Sequence, residues 1–490
     1  MITRLPVSSL VVIAAMILLG GCATRPVNPP ITRIDPAAGY RFETRQALVK
    51  DAGQSKEDKD SLVVLAFSGG GTRAAAFSYG VLEFLRRTEV VGPKGNTFRL
   101  LDAVDVITGV SGGSFTALAY GLYGERLFSE YEQRFLKRDV QGEIVARTFS
   151  PANWGKLSST GWGRSELAAQ LYDEILFHNA TFGDLDRGRG PLILAAATDL
   201  SSGARLVFNQ GTFDILCSDL SAVPLSRAAA ASSAVPVVLS PITLNNYGGS
   251  CGPNVPGWVK RFTDTDDPPR PAARAIRTLK SMEAYGDSVH RPYLHLVDGG
   301  VSDNVGMRGV LDALEVLEAM HEAGMPSLFS SARRIIVFIV NSLSSPATNW
   351  DASESPPGTV DILLKAAGVP IDRYSYEAVE LLRDTAARWK TLRRIRNSAA
   401  MAANKDPGVA AVLRVPDAEI YAIDVSFPQL KDKAEFDYLN EQPTSFVLPA
   451  EAVDRLRAAA GTIIMASPEF QRLVKDVGAR IVVEPPRATR

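Results

Sequence analysis

The amino-acid sequence predicts an α/β fold with a mainly parallel central sheet covered by helices. Short apolar runs of strand length, such as 62–67, recur along the chain, and segments with helical spacing separate them. Glycine-rich turns stand where an apolar run gives way to a helical segment, as at 68–71 and 109–113. Strands that alternate with helices form parallel sheets, because each crossover needs a connection long enough to hold a helix.

The elements follow one another over most of the chain. Strands are predicted at 62–67, 104–108, 192–198, 205–208, 293–297, 334–340 and 419–425. Helices are predicted at 74–87, 114–120, 165–177, 221–231, 307–321, 374–400 and 449–460. These elements suggest a principal domain at 61–345, in which a proline-rich insertion at 245–290 is a candidate lid. Residues 346–490 are expected to form a mainly helical C-terminal extension packed on the core.

The composition excludes several classes of protein. The chain has 490 residues, of which 46% are hydrophobic and 22% charged, as is typical of a folded globular protein. Its 53 Lys and Arg nearly balance 54 Asp and Glu, so no net positive field favours nucleic acid as a partner. Three cysteines without a Cys-x-x-Cys pair exclude a disulfide-dense scaffold and a zinc ribbon. We expect no metal and no cofactor.

Residues 1–21 have the pattern of a lipoprotein signal peptide. The apolar run at 10–19 follows one basic side chain and is too short to span a membrane. The Leu-Gly-Gly-Cys sequence that ends at Cys22 resembles a bacterial lipobox, which implies lipidation of this cysteine. We therefore expect a lipid-anchored protein of the bacterial cell envelope, in the outer membrane and facing the periplasm, since Ala23 resembles that sorting pattern. A plain cleaved signal peptide is the alternative.

Residues 22–60 are expected to be a flexible membrane tether. This segment contains several prolines, ends in a strongly polar stretch at 50–60 and has no sustained apolar period. Export would also place Cys217 and Cys251 in an oxidising compartment. There they could pair or remain unpaired buried thiols, and the sequence leaves both outcomes open.

Ser111 is the predicted nucleophile. The Gly-Val-Ser-Gly-Gly run at 109–113 fits the G-x-S-x-G nucleophile elbow and stands between a strand and a helix, as that motif requires. Glycines on both sides let the backbone close in a sharp turn while the serine projects outward. The same pattern recurs around Ser250, but no strand precedes it and no helix follows, so Ser250 is interpreted as a loop serine.

The glycine run Gly69, Gly70 and Gly71 allows two functional interpretations. Read as G-x-G-x-x-A, it fits a dinucleotide-binding fingerprint, but the acidic residue near the required distance, Glu89, does not follow a second strand. Read as an oxyanion hole, its amides at a helix N-terminus would face developing negative charge, with Arg73 as a further donor. We prefer the oxyanion hole; a tight turn without a ligand is the structural alternative.

Asp298 ends the apolar strand at 293–297 and precedes two glycines. The carboxyl end of a strand is where open α/β sheets place their ligands, so Asp298 is a candidate catalytic residue. Taken by itself, the segment slightly favours an ordinary turn or N-cap aspartate.

Together, these motifs resemble those of the patatin-like phospholipases in content, order and strand context. Segments at 197–203 and 231–236 resemble further patatin motifs, and the resemblance covers 62–310. It implies a patatin-like three-layer sandwich and an acyl hydrolase in which a Ser111–Asp298 dyad cleaves phospholipid or lysophospholipid esters through an acyl-serine. Membrane lipid is then the implied substrate, and the membrane itself the partner that the lipid anchor reaches. No protein partner is indicated.

Two alternatives stay open at this stage. A Ser-His-Asp esterase would need one of the four histidines, His178, His290, His295 or His321. His295 precedes Asp298 by three positions on one strand, so the two side chains should point to opposite faces. The other alternative is a membrane-tethered binding lipoprotein that has the fold without turnover.

Overall fold

The computed structural model describes residues 25–42, 44, 61–91, 97–188, 190–252, 273–322, 332–402, 406–478 and 480–481. The predicted signal peptide, Cys22 and residues 253–272 of the candidate lid therefore lie outside the described residues. Among the helices that are described, none has both the length and the apolar character needed to cross a bilayer.

Eleven strands lie within the described residues: β1 (Ser61–Phe67), β2 (Thr88–Val91), β3 (Thr97–Arg99), β4 (Val106–Val110), β5 (Leu192–Asp199), β6 (Arg205–Val207), β7 (Ile242–Asn245), β8 (Tyr293–Asp298), β9 (Arg334–Asn341), β10 (Glu419–Ser426) and β11 (Arg480–Ile481). Eight of them form one sheet in the order β10-β9-β1-β4-β5-β8-β7, with β6 paired to β5. The first five in this order run parallel, whereas β6, β7 and β8 pair antiparallel. The remaining strands form a small sheet, β11-β2-β3.

Helices flank this sheet. Those described are α1 (Gly71–Arg86), α2 (Gly112–Tyr123), α3 (Leu127–Tyr131), α4 (Val140–Phe149), α5 (Pro151–Leu157), α6 (Arg164–Tyr172), α7 (Phe182–Arg187), α8 (Gln210–Ile215), α9 (Leu225–Ser232), α10 (Ala273–Glu283), α11 (Gly300–Asp303), α12 (Arg308–Glu322), α13 (Thr359–Arg396), α14 (Ala399–Ala402), α15 (Pro407–Val412), α16 (Lys433–Asn440), α17 (Ala450–Ala466) and α18 (Pro468–Val477). The mainly parallel, helix-covered sheet confirms the predicted α/β class.

Every predicted strand is present within two residues of its expected bounds. The central strands read as continuous apolar runs because helices cover both faces of the sheet, as the burial of β1 and β9 shows. The prediction missed the short strands β2, β3, β7 and β11. It also began α13 only at 374, beyond Pro370, although the helix continues through this proline despite the missing N–H group.

The register of the sheet brings three loops to one edge. Phe67 at the end of β1 lies beside Gly109, and Val110 at the end of β4 lies beside Ala196. Asp298 arrives at the same edge from an antiparallel strand, because β8 overlaps only the last three residues of β5. The sequence argument placed Asp298 at this edge because the carboxyl ends of parallel strands lie there. That reason is wrong for β8, which runs antiparallel to β5. Asp298 reaches the edge because the overlap between the two strands is short.

The C-terminal region packs on the core and adds a strand to the central sheet. Strand β10 extends the central sheet along β9, and helix α17 packs against α1. The two helices approach so closely that a Cβ on Gly80 would lie 2.4 Å from the carbonyl oxygen of Arg457. The predicted boundary at 345 therefore separates elements that share one hydrophobic core.

Residues 25–42 lie on the body of the protein, which corrects the predicted flexible tether at 22–60 for this stretch. Tyr40 is fully buried, and its hydroxyl accepts a hydrogen bond from the amide of Ile193 at 2.7 Å. Single anchoring side chains and backbone hydrogen bonds hold the segment, so it leaves no periodic apolar pattern in the sequence. Most of the remaining predicted tether lies outside the described residues.

Cys217 and Cys251 form a disulfide, which answers the question that the sequence left open. The bond joins the segment after α8 to the start of the 245–290 insertion. The docked N-terminal segment meets the same place, since the amide of Ile31 donates to the carbonyl oxygen of Cys217 at 2.8 Å.

Candidate active site

Ser111 occupies a strained turn between β4 and α2. Its φ of 47° and ψ of −122° lie outside the regions that non-glycine residues normally adopt. A Cβ on Gly112 would lie 1.9 Å from the carbonyl oxygen of Gly71, and a Cβ on Gly113 would lie 2.6 Å from that of Ser68. The glycines are therefore required by close backbone approach, as the motif predicted, and the surrounding structure holds Ser111 in its strained conformation.

Hydrogen bonds hold this turn in place. The amide of Ser111 donates to the hydroxyl of Ser232 at 2.8 Å, and this hydroxyl donates to the carbonyl oxygen of Ala196 at 2.6 Å. The hydroxyl of Ser114 donates to the carbonyl oxygen of Ser111 at 2.6 Å. Sequence reasoning missed this role of Ser232, although it noted the segment 231–236 as a family-like motif.

Asp298 faces Ser111 in a buried environment. Only 7% of Asp298 is exposed, and its Oδ1 accepts a hydrogen bond from the amide of Gly300 at 2.7 Å. Burial raises the pKa of Asp298 from its usual 3.8 to about 6, while hydrogen bonds from the Gly300 amide and the Ser111 hydroxyl oppose this rise. Above pH 6 the carboxylate is thus a stronger base than an exposed aspartate.

Asn304 connects the three motifs. A Cβ on Gly69 would lie 2.6 Å from Oδ1 of Asn304 and 3.2 Å from Cβ of Ser111. A Cβ on Gly300 would lie 2.9 Å from the same Oδ1 and 3.1 Å from Oδ1 of Asp298. The glycine run, the serine elbow and the aspartate turn therefore converge on one small region.

Two amides of the glycine run have no hydrogen-bond acceptor among the described residues. The amide of Gly69 donates to the carbonyl oxygen of Asn304 at 2.9 Å. The oxyanion role predicted for Gly69 stays a prediction. Within the described part of the chain, the amides of Gly70 and Gly71 donate no hydrogen bond. Both stand at the N-terminus of α1, where the helix dipole favours negative charge.

Arg73 holds the glycine run instead of facing a substrate. The arginine is 2% exposed, and each of its side-chain nitrogens donates to the protein. Nε donates to the carbonyl oxygen of Ser342 at 2.7 Å, Nη1 to that of Gln442 at 2.6 Å, and Nη2 to the hydroxyl of Thr444 at 3.0 Å. Burial lowers its pKa to about 10. In this structure Arg73 supports the loop, and its predicted role as an oxyanion donor stays a prediction.

The C-terminal region completes the support of this loop. The amide of Thr72 donates to the carbonyl oxygen of Ser445 at 2.8 Å, and a Cβ on Gly71 would lie 2.3 Å from that oxygen. No motif in the sequence marks the segment 442–445, so its contact with the glycine run could not be predicted.

The four histidines take other places. His178 contacts Arg134, His290 pairs with Asp287, and Nδ1 of the exposed His295 lies 3.0 Å from the hydroxyl of Thr243. His321 lies in the last turn of α12, whose first turn is beside the site. At a rise of 1.5 Å per residue, His321 is about 20 Å further along the helix. The structure brings none of them to Ser111.

The remaining sequence candidates also lie elsewhere. Ser250 is an exposed loop residue whose amide donates to the carbonyl oxygen of Tyr247. Glu89 belongs to the small sheet, paired with Arg99 and Arg480 in register, and not to a dinucleotide site. Within the described residues, no cluster of three or more His, Cys, Asp and Glu side chains could hold a metal ion.

Solved structures resemble this chain at low sequence identity. Human GIVD cytosolic phospholipase A2 with a methyl gamma-linolenyl fluorophosphonate inhibitor and terbium chloride matches 89% of the chain at 14% identity and a TM-score of 0.39. Human GIVD cytosolic phospholipase A2 matches 94% at 13% identity and a TM-score of 0.38. The type III effector protein ExoU matches 84% at 12% identity, with a TM-score of 0.22 and 79% of its own length covered. The chain spans 63% and 66% of the two human structures.

A search of curated proteins found no match to the chain. Residues 65–311, half of the chain, match the family model described as patatin-like phospholipase. The matched range begins in β1, contains Ser111 and Asp298, and ends in α12. This match confirms the resemblance seen in the sequence: the chain belongs to the patatin-like phospholipase family.

Proposed function

We propose that this protein is a lipid acyl hydrolase that cleaves carboxylic esters of phospholipids or lysophospholipids with a Ser111–Asp298 dyad. Family membership supports lipid hydrolysis as the reaction class. The observation that carries the dyad is the placement of a buried carboxylate of raised pKa against a serine on a strained elbow. Strained backbone and a perturbed pKa at one point are typical of catalytic sites.

The chemistry follows from the positions of these groups. Asp298 accepts the proton of the Ser111 hydroxyl as Oγ attacks the ester carbonyl carbon. The carbonyl oxygen becomes an oxyanion, which the amides of Gly70 and Gly71 stabilise. When the tetrahedral intermediate collapses, the ester C–O bond breaks and the departing alcohol takes the proton from Asp298. Water then attacks the acyl-serine, Asp298 accepts its proton, and Ser111 recovers a proton as the fatty acid leaves.

The glycine run carries much of the proposed acceleration. A positioned general base typically contributes about 10²–10⁴-fold. Each oxyanion-hole donor typically contributes about 2.7–4 kcal/mol of transition-state stabilisation. This second contribution depends on the fixed direction of the Gly70 and Gly71 amides, which the bonds of Arg73 and Thr72 to the C-terminal region maintain.

We further propose that the protein is lipid-anchored at Cys22 in the outer membrane and faces the periplasm. The lipobox-like sequence motivates this location. The Cys217–Cys251 disulfide supports export, because disulfides persist in oxidising compartments. Metabolic labelling with a radioactive fatty acid should modify the wild-type chain and leave Cys22→Ser unmodified; equal labelling of both would contradict the proposal.

The test of the dyad combines covalent labelling with ester hydrolysis. A serine-directed fluorophosphonate should modify Ser111, and Ser111→Ala and Asp298→Asn should lose about 10²-fold or more of the hydrolysis rate on a soluble acyl ester. Ser250→Ala is the matched control, since this serine shares the G-x-S-x-G pattern without the elbow. Modification of Ser250 instead, or equal rates in all variants, would refute the dyad. Loss of turnover in a folded His295→Ala or His321→Ala variant would favour a triad.

A further inference from the structure

A short loop beside the site displays two valines to solvent. The side chains of Val237 and Val238 are 67% and 57% exposed, within the segment 235–240, which we call the valine loop. The loop follows Ala234, whose carbonyl oxygen accepts a hydrogen bond from the amide of Asp298 at 2.9 Å. Because three residues span at most about 11 Å, Val237 lies close to the catalytic aspartate.

The valine loop is held in an unfavourable conformation. Val237 has a φ of 73°, which is a genuine outlier for a β-branched residue. The guanidinium of Arg164 donates to the carbonyl oxygen of Val237 at 3.1 Å, and the amide of Ser165 donates to the hydroxyl of Ser240 at 3.1 Å. Neighbouring elements thus present the apolar side chains outward, and strain of this kind is concentrated at functional segments.

Arg25, the first described residue of the docked N-terminal segment, lies near the valine loop. Nη1 of Arg25 donates to the carbonyl oxygen of Thr243 at 3.0 Å, and its guanidinium lies 5.5 Å from the ring centre of Tyr293. Its side chain also touches Gly161, three residues before Arg164. Cys22 precedes Arg25 by three residues, a reach of at most about 11 Å. A lipid on Cys22 would therefore enter a membrane on this side of the molecule.

A basic side chain contacts the valine loop, and an aromatic residue lies close to that side chain in the chain. Arg164, which donates to Val237, is exposed, and two residues before it the ring of Trp162 lies 5.4 Å from the ammonium group of Lys156. Apolar side chains with aromatic and cationic neighbours match the interface of a bilayer with negatively charged headgroups. The nearby acidic residue Glu166 is buried and paired with Arg227 at 2.8 Å, so it does not oppose such a contact.

We propose that the valine loop, together with Arg164, binds an anionic phospholipid bilayer on the side of the molecule where this loop approaches Asp298. This surface is the one by which the proposed hydrolase reaches its lipid substrate, so the purpose of the contact rests on the proposed function. The membrane contact itself is measurable without turnover.

The direct test places a fluorescent reporter in the valine loop. Val238→Trp is introduced into the full chain with Ser111→Ala, so that no lipid is hydrolysed, and the purified protein is reconstituted on phosphatidylglycerol vesicles with brominated acyl chains. The control is Ile395→Trp in the same background. Ile395 is also exposed, but it lies near β10, at the opposite edge of the sheet and on the order of 30 Å from β7 at the usual strand spacing.

We expect brominated lipid to quench the added fluorescence at 238 and to leave that at 395 unchanged, relative to Ser111→Ala alone. No quenching at 238, or equal quenching at both positions, would overturn the proposal. Vesicles of phosphatidylcholine should give weaker quenching at 238; equal quenching would refute the role of negative charge. These results do not depend on whether the protein is a hydrolase.

A second readout separates lipid contact from chemistry. The double variant Val237→Ser with Val238→Ser should lose about 100-fold of its activity on vesicle phospholipid, because each buried valine stabilises the bound state by about a factor of ten. The double variant should hydrolyse a soluble ester at the wild-type rate. Ile395→Ser should match wild type on both the soluble ester and vesicle phospholipid. Equal vesicle activity in the double variant would refute the proposal, whereas absence of soluble-ester turnover in wild type would refute the proposed function instead.

Discussion

Replacing Asp298 by asparagine should abolish hydrolysis and, above neutral pH, stabilise the fold. The wild-type side chain is 7% exposed and carries a charge at neutral pH, which burial penalises. Asparagine has nearly the same shape, can still accept the hydrogen bond from the amide of Gly300, and has no charge. Catalysis and stability therefore make opposite demands at this position.

The magnitude follows from the pKa of Asp298. Its rise from 3.8 to about 6 is about two units, and each unit corresponds to about 1.4 kcal/mol, so the ionised group costs about 3 kcal/mol of folding free energy. Between these two values the folded chain binds more protons than the unfolded chain, so this cost grows as pH rises and is constant above pH 6. Loss of the Ser111 hydrogen bond removes about 1 kcal/mol, which leaves a net gain of about 2 kcal/mol for Asp298→Asn.

Urea unfolding of both proteins with the disulfide intact measures this difference. Other groups titrate alike in wild type and variant, so the difference in unfolding free energy isolates residue 298. We expect about 2 kcal/mol in favour of Asp298→Asn at about pH 8, and a difference that shrinks or reverses near pH 4, where wild-type Asp298 is neutral. Asp384→Asn, the same exchange at an exposed helix position, is the matched control.

Two results would refute this reasoning. A stability difference that does not change with pH would mean that the folded and unfolded states do not differ in the protonation of Asp298. A wild type that is more stable than Asp298→Asn at high pH would mean that hydrogen bonds to the carboxylate outweigh its desolvation.

Two further predictions test the site. Because Asp298 must be ionised to accept a proton, kcat/KM on a soluble ester should fall about tenfold for each pH unit below 6; an activity that stays level to about pH 4 would contradict the role of Asp298 as base. Gly112→Ala should lose fluorophosphonate labelling and about 3 kcal/mol of unfolding free energy, because its Cβ would lie 1.9 Å from the carbonyl oxygen of Gly71. Normal labelling and a normal urea midpoint would show that the two turns can separate without cost.

Features that depend on neighbouring residues in the chain could be predicted from the sequence. The apolar runs of the central strands indicated burial on both faces, and the structure has these strands. The elbow at Ser111 was predicted because a tight turn between a strand and a helix excludes side chains at the flanking positions. The family, confirmed over residues 65–311, rests on the same local motifs.

The tertiary structure decided which distant groups meet. Arg73 sits within the predicted motif, but its partners Gln442 and Thr444 come from a region without any motif, and they turn it away from the substrate side. The direction of β8 was likewise decided by its pairing with the distant strand β5, which the sequence of β8 does not name. Local sequence specifies backbone conformation and burial, whereas the partners of a group such as the Arg73 guanidinium depend on contacts between segments hundreds of residues apart.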